Sequence, residues 1–223
     1  MKIDVLTIFA SSYDGLKSGI IAKALDKELF ELNIYDIRDY SKNKHKKVDD
    51  YPYGGGAGML MTPQPLIDAI KDVDKEHNAK RILLSPKGKT LNQKLVKELA
   101  SNEHLMLVNG AYEGVDQRVI DSEIDMELSI GDYVLTSGDL ASMVVINAVA
   151  RYIDGVLGSE NSTKEESFAS NRLEYPQYTR PQEFNGLMVP EVLLRGNHKE
   201  IEEWREQKSR EVTAKNRPDL IEE

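Results

Sequence analysis

Between Lys2 and Ile153, short apolar runs alternate about five times with stretches whose apolar residues recur at helical spacing. A strand, a helix and a second strand in succession return the chain in the same direction, so the pattern constrains it to a parallel sheet covered by helices on both faces. The strands are expected at "KIDVLTIF" (2–9), "ELNIYDIR" (31–38), "RILLS" (81–85), "HLMLVNG" (104–110) and "MELSIG" (126–131). Helices are expected over 14–29, from Pro63 through Val73, at "LNQKLVKELA", at "VDQRVIDSEI" and over 140–153, the most apolar of them. Thr62 and Pro63 read as an N-cap and first helical residue, and Thr90 with Gln93 as a capping-box pair.

From about residue 155 the texture changes. "GVLGSENSTKEESFASN" has no periodicity and is rich in Ser, Glu and Asn, as a flexible linker is. The expected division is an α/β domain over 1–155, a linker over 156–174 and a small helical domain over 175–223. In the last, Asn197 caps a helix carrying Ile201, Trp204 and Val212 on one side, which Pro218 helps to end.

Ligands of open α/β sheets gather at the carboxyl ends of the strands. The first strand runs into "ASSYDG", which holds no glycine turn suited to phosphate, whereas "SPKGKT", "NGAYEGVD" and "GDYVLTSGD" follow the later strands. The pocket is therefore expected at the later strands. Ser85 stands where a receiver domain needs a phosphoacceptor aspartate. A separate loop, "DDYPYGGGAGMLM" (49–61), concentrates glycine where no regular element is expected on either side. It fails the dinucleotide fingerprint, because the sixth position from Gly54 is Met59, and it fails the P-loop, because no Lys-Ser/Thr follows Gly58.

Composition bounds the function classes. The 223 residues carry a net charge of -9, which opposes nonspecific adhesion to nucleic acid. Two basic clusters run against that mean: Lys42, Lys44, Lys46 and Lys47 around His45, and Arg205, Lys208, Arg210, Lys215 and Arg217. The absence of cysteine excludes disulfides and thiolate metal sites. The opening "MKIDVLTIFASS" is too short an apolar run for a signal peptide, and no stretch reaches membrane-spanning length, so a cytoplasmic protein is expected. The four histidines have no metal-ligand spacing, and no metal ligands are assigned.

Seven stretches, "VDDYPYGGGAGMLM", "LLSPKG", "YEGVDQRVI", "SIGDYVL", "ARYIDGVLG", "YPQYTRP" and "VPEVLLRGNHKEIEEWR", appear in an order that resembles the bacterial tRNA (guanine-N1)-methyltransferases. The resemblance spans the chain from Met1 to about Arg217. It implies a SPOUT fold with a deep trefoil knot, a homodimer, S-adenosylmethionine as methyl donor, dependence on magnesium, and tRNA rather than DNA as substrate. The implied reaction is methylation of N1 of the guanine at position 37, immediately 3′ of the anticodon.

By this resemblance the donor pocket takes Leu84, Ser85, Pro86, Asn109, Gly110, Tyr112, Glu113, Gly114, Ser129, Ile130, Gly131, Tyr133, Leu135 and Gly138. Gly54, Gly55, Gly56, Gly58 and Met59 would meet the target guanine. Guanine N1 carries a proton at neutral pH, so the reaction needs a general base, and the charge left on O6 needs a cation. Read from the residues alone, Arg151 complements a helix dipole and Glu166 is a solvated linker acid. The resemblance assigns Arg151 as the cation and Glu166, where the family has aspartate, as the base, with Glu165 beside it. The chain also departs from the family at "LTSGDLASM", where a Gly-Gly pair and a later proline are usual. Two other readings stay open: a SPOUT methyltransferase acting at another RNA site, and an RNA-binding module without chemistry.

Overall fold

The structure, a computed structural model, describes residues 1–158 and 166–221. They form two compact units, Met1–Gly158 and Ser159–Glu223.

The first unit is built on five parallel strands, β1 (Lys2–Thr7), β2 (Glu31–Asp36), β5 (Lys80–Thr90), β6 (His104–Asn109) and β7 (Met126–Ser129), in the order β2-β1-β6-β5-β7. Side chains alternate between two cores, as the pleat requires. Ile3, Val5, Ile82, Leu84, Leu105 and Leu107 face helices α1 (Gly19–Asp26), α3 (Gln93–Ala100) and α5 (Asp139–Ala150). Leu6, Leu83, Met106 and Val108 face α2 (Pro63–Val73) and α4 (Gln117–Glu123). Both faces are thus covered, and each fully buried aliphatic side chain contributes about 1.5–3 kcal/mol.

Three local expectations are corrected. The helix expected over 14–29 is a 3₁₀ segment, Ala10–Leu16, followed by α1, because the chain is extended at Ser18 (φ -135°, ψ 159°) and Gly19 then takes φ +67°. The capping pair Thr90–Gln93 does not form: Asn92 caps α3 by accepting from Leu95 N at 2.9 Å, while Thr90 still belongs to β5. That strand runs past Ser85 because, beyond an irregularity, Lys89 and Thr90 pair again with Leu128 and Ser129. Finally, the glycine loop does spring from regular structure, the antiparallel pair β3 (Asp49–Asp50) and β4 (Leu60–Met61).

Far from the strand ends that carry the loops, buried Arg81 of β5 donates to Asp74 Oδ2 at 2.9 Å and to Glu123 Oε2 at 2.8 Å. Burial alone pushes the Asp74 carboxyl up. The guanidinium and the amides of Asn78 and Ala79 outweigh it and hold Asp74 below the ordinary carboxylate range. A depressed folded-state value means that this group stabilises the fold above its unfolded pKa of about 3.9 and ceases to do so as pH falls through the folded value. Urea midpoints of wild type and Asp74→Asn are therefore expected to differ clearly at neutral pH and to converge as pH falls below the ordinary carboxylate range.

In the second unit, helix α6 (His198–Asn216) is preceded by a hairpin, β8 (Glu183–Phe184) and β9 (Leu187–Met188), turned by Asn185 and Gly186 at φ 52° and 81°. Residues 159–165 of the expected linker, Glu165 among them, lie outside the described residues. The part nearer α6 is tied to it: Thr213 Oγ1 accepts from Leu173 N at 2.9 Å, and Ser209 donates to Leu173 O at 2.6 Å.

Candidate active site

The middle of β5 and the loops that follow β6 and β7 close over a cavity of about 270 Å³. This lies near the lower bound of roughly 300–1,000 Å³ usual for small-molecule sites. Leu84, Ser85 and Pro86 line it from β5, Gly110, Tyr112, Glu113 and Gly114 from β6, and Ser129, Ile130, Gly131, Tyr133, Leu135 and Gly138 from β7. Of the residues assigned to the donor, Asn109 alone does not line the cavity.

The loops interlock at backbone distance. Gly138 N donates to Gly110 O at 2.8 Å, and a Cβ at Gly138 would lie 3.1 Å from both Asn109 Cα and Leu84 Cβ. The chain leaving β7 therefore crosses directly against the ends of β5 and β6. Gly88, in the β5 extension, lies on β7 itself: a Cβ there would fall 2.3 Å from the Glu127 carbonyl carbon and Leu128 N. Around the cavity Tyr112 adopts φ +59°, a left-handed conformation uncommon outside glycine.

Behind the cavity sits a buried polar cluster that no motif announced. Asp139, at the start of α5, accepts from Thr7 Oγ1 at 2.5 Å, Ser137 Oγ at 2.7 Å, Asn109 Nδ2 at 3.2 Å and the Tyr13 hydroxyl at 3.3 Å. The Tyr13 hydroxyl also accepts from Asn109 and meets Ser142. Burial first, and the Asp139 carboxylate with it, push the Tyr13 hydroxyl well above the ordinary tyrosine range, so it remains a donor at neutral pH. Asn109 thus fastens β6 to the base of α5. Ser137, one of the departures from the family pattern, supplies a hydrogen bond that a glycine there would lack.

Glu127 also lines the cavity, and its Oε2 is buried with no hydrogen-bond partner among the described residues. Sequence reading missed it, because an acid in "MELSIG" carries no motif signal.

The glycine loop shares a wall with this cavity. Gly54, Gly55, Gly56 and Gly58 have φ of 85°, 80°, 125° and 79°, all in the left-handed half of the map. Nothing lies within 4 Å of a Cβ at Gly54, Gly55 or Gly56, whereas one at Gly58 would meet Glu113 Oε1 at 2.5 Å. Glu113 N donates to Met59 O at 3.0 Å, and Met61 N donates to Gly114 O at 2.9 Å. The loop expected to meet substrate is therefore bonded to the loop expected to hold the donor.

Arg151 occupies the C-cap of α5 in the first unit, and Glu166 lies in the second, with its carbonyl accepting from Ala169 N at 3.1 Å. The basic clusters carry local partners: Lys42 pairs with Asp68 at 2.9 Å, Lys46 with Asp39 at 2.5 Å, Lys208 with Glu211 at 2.6 Å, and Arg217 with Asp219 at 2.6 Å. Among the described residues no group of three or more His, Cys, Asp or Glu could hold a metal ion, and no helix is long and apolar enough to cross a membrane.

The parallel α/β sheet with a cavity at its late strands accords with the SPOUT class, to which the family matched by this chain belongs. The profile of the tRNA (guanine-1)-methyltransferase family, TrmD, matches residues 1–223. A tRNA (guanine-N(1)-)-methyltransferase of Clostridium botulinum strain Hall is 53% identical over 221 residues, covering 99% of this chain and 92% of its own length. One of Clostridium perfringens strain SM101 is 51% identical over 222 residues, covering 100% of this chain and 94% of its own length. The chain belongs to the tRNA (guanine-1)-methyltransferase family and is an enzyme that methylates tRNA.

Proposed function

We propose that this enzyme methylates N1 of guanine 37 of tRNA, with the donor in the cavity and the guanine entering beside the glycine loop. The observation that carries the reading is the junction at Gly58, where a substrate loop with open space on one side abuts Glu113 of the cavity wall on the other. The cavity residues fit S-adenosylmethionine: glycines and small residues leave backbone amides and carbonyls accessible, and the Glu127 oxygen is an acceptor still lacking a donor. When bound, S-adenosylmethionine supplies a methyl group on positively charged sulfur.

The remaining chemistry belongs to the chain. Glu166 takes the proton from guanine N1, and Arg151 balances the negative charge that collects on O6 as the ring nitrogen becomes a nucleophile. The proton then passes from Glu166 to water. Following the family resemblance, we assign each active site to the knot region of one subunit and the linker and C-terminal unit of another, in a homodimer, with Arg151 on the first unit and Glu166 on the second. Exposed apolar residues near the cavity, Val134 at 83% and Leu140 and Val144 one turn apart on α5, support such an interface. The close passages at Gly88, in the extension of β5 against β7, and at Gly138, in the segment after β7 against Leu84 and Asn109, support a trefoil knot. The exposed lysine and arginine pairs are weak in water, so they can exchange their carboxylates for tRNA phosphates. Magnesium enters no step of this scheme, and a cytoplasmic location accords with a chain that lacks cysteine.

Labelled methyl transfer to transcripts carrying guanine or adenine at position 37 tests the reading. Transfer only to the guanine transcript, with label on N1, is expected; equal transfer to both would move the target elsewhere. Gly58→Val must force a β-branched side chain into a left-handed backbone and against Glu113, so its turnover is expected to fall at least about tenfold, the cost of a small misplacement of substrate. Initial rates at saturating donor measure this.

A further inference from the structure

The most exposed aromatic ring of the first unit stands at the head of the glycine loop. Tyr53 is 100% exposed and Tyr51 is 78% exposed, separated by Pro52, whose carbonyl accepts from Gly55 N at 3.3 Å. Among the described residues neither ring stacks on another aromatic or on a cation. Burying such a ring would contribute about 1.5–3 kcal/mol, so a fold that holds two of them in water gains nothing from either in the structure as it stands.

The surroundings specify what such a ring can receive. Its loop is held at one end by the β3–β4 ladder and at the other by the bond from Glu113 N to Met59 O, so the ring is carried on an anchored support. Tyr53 and Gly58 at the cavity wall are five positions apart, a span of at most about 18 Å, or a few nucleotides. The guanidinium of Arg118, fastened to Asp116 at 2.8 Å, is a cation within electrostatic range of the Tyr53 side chain. An unpaired RNA loop presents base faces, and proteins receive them on aromatic rings and arginine planes. Turning one base out of the anticodon loop also deprives its neighbours of a stacking partner.

We infer that Tyr53 is a stacking platform for a nucleobase flanking the guanine that is methylated, a positioning residue that holds the anticodon loop in register while the target enters the cavity. This rests on the reading that the glycine loop meets the target guanine. Tyr51 lies on the same turn and can cover the outer face of the stack.

The test uses the full-length enzyme with S-adenosylhomocysteine and anticodon stem-loops carrying 2-aminopurine at each position flanking the guanine. Binding to wild type is expected to quench one of these fluorophores. Tyr53→Ala should abolish that quenching and raise KM for tRNA about tenfold, with the donor dissociation constant and the dimer unchanged, and Tyr53→Phe and Tyr53→Trp should restore both readouts. Unaltered quenching and KM in Tyr53→Ala would overturn the inference. So would a raised KM accompanied by loss of the dimer or of donor binding, because the ring would then be a structural contact. Gly58→Val separates the two levels: its normal turnover would defeat the underlying reading, whereas impaired Gly58→Val beside normal Tyr53→Ala defeats the stacking inference alone.

Discussion

Replacing Glu166 by glutamine is expected to lower kcat for methyl transfer by about 10²- to 10⁴-fold while leaving donor affinity and KM for tRNA close to wild type, since a general base acts on the barrier rather than on binding. The substitution keeps the length and shape of the side chain, so a loss of that size reports proton abstraction and not packing. Arg151→Ala is expected to cost about 10²- to 10³-fold for a related reason: its charge matters most when O6 becomes negative. Single-turnover rates with prebound donor measure both. Full activity in Glu166→Gln together with inactivity in Glu165→Gln would transfer the base to the neighbouring carboxylate, and full activity in both would remove the carboxylate from the mechanism.

Arg81→Met is expected to destabilise the first unit by about 3–5 kcal/mol, because it leaves the buried carboxylates of Asp74 and Glu123 without the guanidinium that both depend on. Lys71, 3.2 Å from Glu123, relieves only one of them. The network sits at the start of β5 and its side chains do not line the cavity, so donor affinity measured well below the melting temperature should stay close to wild type. Denaturant melts followed by circular dichroism give the stability change, and calorimetric titration of the donor gives the affinity. A midpoint unchanged from wild type would mean that the two acids find other partners.

Sequence patterning carried most of the sheet, because a strand buried on both faces must be apolar throughout and a helix between two such strands must be amphipathic. "HLMLVNG" became β6, and Thr62 with Pro63 opened α2 where expected, although the Thr62 hydroxyl donates to Val48 O rather than capping the helix. Features that depended on distant partners were not legible. Thr90 stayed in β5 because Ser129 pairs with it, and no local rule reports that pairing. Asn109 sat inside a donor-binding motif, yet its side chain turned away toward Tyr13 and Asp139, residues that lie 96 and 30 positions away. The Asn185-Gly186 turn of the hairpin was legible in principle, since that dipeptide favours two successive left-handed residues, but the helical reading of the segment passed over it.

For the site, the family motifs identified residues that converge on one cavity, while periodicity alone placed only their loops at the correct edge of the sheet. The acidic oxygen of Glu127 and the clash that protects Gly58 emerge only when β7 and the glycine loop are seen against their neighbours.

The account stands on the guanine meeting a carboxylate on one side and the glycine loop on the other. A crystal structure of the dimer with S-adenosylhomocysteine and an anticodon stem-loop measures this directly. It should place the Glu166 carboxylate within about 3 Å of guanine N1, the Arg151 guanidinium beside O6 and the base edge against Gly56 and Gly58. A guanine bound with neither side chain able to reach it, or seated away from the glycine loop, would contradict the mechanism.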